Sequence, residues 1–140
     1  MQNWKSTLWA VIPILLFIGI FLINMLVYRS KEQGAVLYEV HCQSCHLEEG
    51  EGLRGIIPPL AKADYLQQNQ SQLACLIRYG LQDTILVNGK QYTQAMPANE
   101  ALTDTQISNI INYINTAWGN ELPERNLQQV RLDLKNCSTE

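Results

Sequence analysis

Apolar positions follow three rhythms along this chain, and each predicts a different kind of element. Residues 8–28, LWAVIPILLFIGIFLINMLVY, contain no charged side chain. As a helix rising 1.5 Å per residue they would extend about 31 Å, enough to cross a hydrocarbon core. Pro13, Gly19 and Asn24 interrupt the run, but membrane helices tolerate single breaks of this kind, and Trp4, Trp9 and Tyr28 stand where interfacial aromatics belong. The run passes into Tyr28-Arg29-Ser30-Lys31-Glu32 without a small-x-small cleavage pattern. The reading is an uncleaved transmembrane anchor over 8–28, preceded by a cytoplasmic segment, 1–7, and followed by a linker, 29–33.

The second rhythm is helical. Ala35, Leu37, Tyr38 and Val40 suit a first helix over 34–46 running into a turn at Cys42. Leu73, Leu76 and Ile77 predict a middle helix over 71–79, ended by Gly80. The strongest soluble helix starts at Thr103, where Gln106 completes a capping box, and presents Ile107, Ile110, Ile111, Ile114 and Trp118 as one stripe before Gly119 stops it. The third rhythm has period two: Ile85-Leu86-Val87 and Lys90-Gln91-Tyr92 flank Asn88-Gly89, a tight-hairpin signal leading to Met96-Pro97. Between these lie the Glu- and Gly-rich stretch 48–55 and Pro58-Pro59-Leu60, an irregular connector. The tail, 120–140, shows only Val130, Leu132 and Leu134 in alternation and is expected to pack on the domain.

Of the 140 residues, those beyond the anchor suffice for one small domain, placed at 34–119. Beyond the anchor, nine basic residues face thirteen acidic ones, a net charge of −4, which argues against a nucleic-acid partner. Lys5 before the span against Arg29 and Lys31 after it weakly favours an inward-facing carboxyl domain.

The candidate chemistry sits in VHCQSCH, residues 40–46. A structural zinc site needs four ligands, usually as two pairs, and here there is one pair, with Cys75 and Cys137 isolated. A thioredoxin-like dithiol belongs at a helix start among alternating strands and helices, a pattern this chain lacks. Cys-x-x-Cys-His is the attachment signal for c-type haem: Cys42 and Cys45 form thioethers and His46 reaches the iron. Haem calls for a second axial ligand far along the chain. Met96 is the candidate, since Met1 is terminal and Met25 lies in the span.

With Cys42, Cys45, His46, Pro58, Met96 and the helix from Thr103 in view, residues 33–119 resemble the class I monohaem cytochromes c. The resemblance implies a mainly α fold, three or four helices around one covalent haem, with the hairpin before the Met loop and the transmembrane helix as additions. It implies that the first and last helices cross near Gly34, Tyr38 and Tyr113. It also implies that the Pro58 carbonyl accepts a hydrogen bond from His46 Nδ1. The anchor and tail resemble those of membrane-bound cytochromes c of bacterial respiratory chains, either tethered carriers or subunits of quinol-oxidising, terminal oxidase or denitrifying complexes. Haem attachment in this family takes place outside the energy-conserving membrane, so the domain is expected on the periplasmic side of the inner membrane, overriding the charge signal.

His46 and Met96 together would fill both axial positions and leave none for a substrate, which reads as one-electron transfer to redox partner proteins and not as catalysis. The alternative is a haem sensor or peroxidase-like enzyme in which Met96 dissociates. Leu60, Leu73, Ile77, Leu86, Val87 and Ile110 are candidate haem-pocket walls, and Arg78, Tyr79 and Tyr92 candidate propionate contacts. His41 is expected in solvent, and Glu48, Glu49 and Glu51 in a hydrated loop. With Cys42 and Cys45 taken by haem, Cys75 and Cys137 remain in an oxidising compartment and are expected to form a disulfide.

Overall fold

The computed structural model describes residues 4–137, with side chains described from residue 11 onward. Residues 1–3 of the expected amino-terminal segment, and the interfacial roles expected of Trp4 and Trp9, lie outside the described residues. Helix α1 runs from Trp4 to His41. From Val11 onward it is long and apolar enough to cross a membrane, and the apolar stretch touches nothing else in the protein. The segment 29–33, read above as a linker, is helical. Arg, Lys, Glu and Gln are good helix formers, nothing there breaks the hydrogen-bond ladder, and the change from apolar to charged residues marks a change of solvent, not of conformation.

The chain turns at Cys42, whose φ of −124° leaves the helical region, and resumes as the short α2, Gln43–His46. A loop leads to α3, Asp64–Gln68, an element the hydrophobic pattern does not announce, and then to α4, Leu73–Tyr79. Strands β1, Ile85–Val87, and β2, Lys90–Tyr92, pair antiparallel with Ile85 opposite Tyr92 and Val87 opposite Lys90. Asn88 and Gly89 take φ of 49° and 73° between them, as a two-residue hairpin loop requires.

Helix α5 spans Asp104–Thr116, and both hydrogen bonds of its capping box form around Thr103 and Gln106. Replacing Thr103 by alanine removes this cap and is expected to cost about 1 kcal/mol, read as a lower midpoint in denaturant unfolding. The helix ends two residues short of Trp118, because Asn120 Nδ2 captures the Ile114 carbonyl at 2.8 Å and Leu122 N–H captures that of Asn115 at 3.0 Å. With these orphan carbonyls satisfied, the chain turns away and Trp118 takes a φ of 52°.

Helices α1 and α5 cross where Gly34 faces Asn109 and Tyr113. A Cβ at Gly34 would lie 2.4 Å from the Asn109 carbonyl oxygen, so the close approach needs glycine. Above the crossing, Tyr38, Tyr113 and Trp118 form a three-ring cluster with centroids 4.9 to 5.4 Å apart. The buried Tyr38 gives its hydroxyl proton to the Leu47 carbonyl at 2.6 Å, which ties α1 to the loop after α2. Ile107, Ile110 and Ile111 are fully buried beneath the cluster.

The tail holds a helix, α6, Leu127–Lys135, with its own capping box of Asn126 and Gln129. The alternation of Val130, Leu132 and Leu134 therefore misdirects: Leu127, Val130 and Leu134 follow helical spacing, Val130 is fully buried, and Leu132 points outward. Ser108 Oγ and Asn112 Nδ2 both donate to the Arg125 carbonyl, fixing the approach of α6 to α5. Cys75 on α4 and Cys137 after α6 form a disulfide, with Cα atoms 5.6 Å apart and 62 positions apart in sequence. Closing a loop of that size reduces the freedom of the unfolded chain, so Cys137→Ser is expected to lower stability by about 2–4 kcal/mol, measured by denaturant unfolding without reductant.

Candidate functional site

Cys42, Cys45 and His46 are presented by the turn between α1 and α2, where Cys45 and His46 N–H groups both bond the Cys42 carbonyl. This tight turn sets the two thiols and the imidazole on one wall of a cavity of about 410 Å³. Its size falls within the usual range for enclosed cofactors. The remaining walls are apolar. Ile57, Pro58 and Leu60 come from the connector, Leu66 from α3, Leu73, Leu76 and Ile77 from α4, Ile85, Val87 and Tyr92 from the hairpin, and Ile111 and Ile114 from α5. The loop Gln94–Pro97 brings Met96 into the same cavity.

His46 is buried, and its Nδ1 lies 3.1 Å from the Pro58 carbonyl oxygen. A carbonyl only accepts, so Nδ1 carries the proton and Nε2 keeps its lone pair. Burial pulls the imidazole pKa below its ordinary value, with the Pro58 hydrogen bond acting in the opposite direction, and the ring is held neutral, the form that ligates a metal. The Pro58 carbonyl is itself placed by Gly52, at φ 64°, where a Cβ would come 2.6 Å from the Pro58 oxygen and 2.5 Å from that of Ile57.

Cys42 is half-buried and Cys45 exposed. Burial, with the neighbouring Cys45 adding to it, pushes the Cys42 thiol up to about 11.

Met96 is held by backbone pairing. Its N–H donates to the Leu81 carbonyl at 2.8 Å, and Leu81 N–H returns to the Met96 carbonyl at 3.0 Å. Gly80 makes this bridge possible: at φ 78° its missing Cβ would lie 2.4 Å from the Met96 carbonyl oxygen. Sequence pattern identified Gly80 only as the end of α4; its second role depends on a pairing that no local signal announces.

Other site expectations divide. Leu60, Leu73, Ile77, Val87 and Tyr92 line the cavity. Leu86 faces solvent, since successive strand residues point to opposite faces, and Ile110 packs into the core behind Ile111 and Ile114, so neither is a wall. Arg78 does not reach the cavity: its guanidinium bonds Asp104 at 2.8 Å at the start of α5. Tyr79 is exposed and lies outside the lining. His41, Glu48, Glu49 and Glu51 are exposed.

An apolar cavity lined by a thiol pair, an oriented imidazole and a thioether matches the donor set of iron porphyrin, in which soft sulfur and imidazole nitrogen serve together. A small helical domain of this kind defines a covalent haem protein. The family model for cytochrome c matches residues 31–118, and the chain belongs to that family. Its members carry covalently bound haem c and transfer electrons. The chain is 36% identical over 94 residues to cytochrome c-552 of Thermus thermophilus, covering 64% of this chain and 63% of that protein. It is 33% identical over 94 residues to the cytochrome c subunit of a quinone-dependent alcohol dehydrogenase from Gluconacetobacter polyoxogenes, and 35% identical over 95 residues to the fructose dehydrogenase cytochrome subunit of Gluconobacter japonicus. These matches cover 64% and 62% of this chain but 19% of each subunit.

Proposed function

We propose that the protein is a membrane-anchored, His/Met-ligated cytochrome c that relays single electrons within a respiratory chain. The observation that supports this reading is that His46 and Met96, fifty residues apart, line one apolar cavity together with Cys42 and Cys45. Cys42 and Cys45 would supply the thioether links, and His46 Nε2 and Met96 sulfur the two axial ligands. The haem, when bound, supplies an iron that gains or loses one electron. The chain does the rest. The Pro58 carbonyl holds the His46 ring at a fixed tautomer, the Leu81 pairing holds Met96 in place, and the aliphatic walls exclude water that would otherwise stabilise the oxidised charge. Held by both His46 and Met96, the group would offer no position to oxygen or peroxide, and the role would be that of a carrier.

The anchor reading is supported by the length and apolar character of α1, and a periplasmic setting for the haem domain by the family's chemistry and the Cys75–Cys137 disulfide. The cytochrome subunits among its relatives support a redox complex as partner. Optical spectra of the purified protein test the ligation: a sulfur-to-iron band near the red end of the oxidised spectrum, with no carbon monoxide binding after reduction, is the expected result. Carbon monoxide binding by the reduced wild-type protein would favour a sensor or peroxidase-like role instead.

A further inference from the structure

Helix α4 has seven residues, and its N-cap, Gln72, makes no side-chain hydrogen bond. A helix this short is not stable by itself, so its position depends on what it is packed and bonded against. Leu73, Leu76 and Ile77 turn one face of α4 to the cavity. Cys75, which does not line the cavity, ties the helix to the tail through its bond to Cys137, just after α6. The tail is itself seated, with Val130 fully buried. A second and weaker tie passes through Asp104 at the start of α5, which pairs with Arg78 of α4 at 2.8 Å and with the more exposed Arg131 of α6 at 3.5 Å.

The loop carrying Met96 hangs from the other end of the same helix. Asn99 N–H donates to the Ile77 carbonyl at 3.1 Å, and Leu81, next to the Gly80 cap, exchanges both of its backbone hydrogen bonds with Met96. Fewer than two helical turns of chain separate Cys75 from Leu81. A shift of α4 is therefore passed directly to Met96, and the tail is what resists that shift from outside the cavity.

We infer that the Cys75–Cys137 bond is a latch on the Met96 ligand. Closed, it braces α4 through the tail and keeps the Met96 loop in place. Opened by a small dithiol reductant, it frees the tail, loosens α4 and its loop, and makes the coordination position of Met96 available to a small ligand. The inference rests on the His/Met ligation proposed above. In the opening step the S–S bond breaks, two electrons and two protons pass from the dithiol to the two sulfurs, and the dithiol itself becomes a disulfide. Cys75 and Cys137 are both partly exposed, so a small dithiol reaches them. Cys42 and Cys45, in thioether linkage, would take no part. The latch makes one chain a closed carrier under oxidising conditions and a ligand-accepting haem protein under reducing ones.

The test uses the full chain purified with its haem. One portion is reduced with dithiothreitol, alkylated with N-ethylmaleimide and re-oxidised with ferricyanide; a second receives N-ethylmaleimide and ferricyanide alone. The double variant Cys75→Ala, Cys137→Ala supplies the open state without reductant. Hydrogen exchange is followed at the Leu81, Met96 and Asn99 amides, and imidazole binding to the oxidised iron by absorbance. In the opened forms, exchange at these three amides and the rate of imidazole binding are each expected to rise by about tenfold or more. An increase no larger than that at Ile110 and Ile111 of α5 would show a general loss of stability only, and would overturn the latch. Unchanged imidazole binding, or faster exchange confined to α6, would overturn it as well. Absence of the sulfur-to-iron band from the untreated oxidised protein would instead remove the ligation on which the inference stands, an outcome the amide exchange does not depend on.

Discussion

Met96→Ala is expected to yield a protein that still carries covalent haem but has lost the sulfur-to-iron band, binds carbon monoxide when reduced, and has a lower reduction potential. The attachment survives because the two thiols and His46 belong to a turn whose hydrogen bonds do not involve the Met96 loop. The open coordination site follows from the sequence itself: the three methionines are Met1, Met25 and Met96, and only the last belongs to the soluble domain. Thioether ligation favours the reduced iron, so its removal lowers the potential by on the order of 0.1–0.3 V, within the roughly 0.8 V range that axial ligands command. Met96→His supplies a nitrogen from the same loop; it should close the site to carbon monoxide again while leaving the potential low. Retention of the band in Met96→Ala would show that another group ligates the iron, and the proposed ligand pair would be wrong.

Local patterns were legible where the physics is local. The Cys42–His46 spacing is set by the reach of one turn, the Thr103 capping box by three consecutive residues, and the Asn88-Gly89 hairpin by the need for positive φ at two positions. These required no knowledge of the rest of the chain. The wall positions were partly legible: β1 alternates, so a choice among Ile85, Leu86 and Val87 needed the facing direction, which only the packed structure supplies.

What the pattern did not reveal depends on partners distant in sequence. Charge after the apolar run suggested a linker, yet the same residues are good helix formers and continue α1, and Asn109 and Glu124 then meet Gln33 and Lys31. Three alternating apolar residues in the tail fit a strand and a helix equally; Asn126 and Gln129, unnoticed, supply the cap that decides for the helix. Arg78 was a reasonable propionate candidate by position, but Asp104, brought close by the folding of α5 against α4, takes its guanidinium. At long range, the Cys75–Cys137 disulfide was anticipated by elimination of the other thiols, and the His46–Pro58 hydrogen bond and the crossing at Gly34 from the family resemblance, none of them from periodicity.

Gly80→Ala is expected to have a large effect, and to act on a residue it does not replace. A Cβ at this position would stand 2.4 Å from the Met96 carbonyl oxygen and 2.9 Å from the Ala98 amide nitrogen. Both are backbone atoms, so no side chain can swing aside, and the loop carrying Met96 must move away from Leu81. The φ of 78° adds strain for any residue with a Cβ. Overlap and strain together should cost about 2–5 kcal/mol in unfolding free energy. The more telling readout is optical: the sulfur-to-iron band should weaken or vanish although Met96 is still present. Gly89→Ala separates the two causes, because Gly89 has a similar φ of 73° but nothing within 4 Å of its missing Cβ. That variant should lose only about 1–2 kcal/mol from strain and keep the band intact. If both alanine variants retain the band and lose equal stability, the contact between Gly80 and the Met96 backbone does not place the sulfur, and the ligand loop owes its position to the hairpin alone.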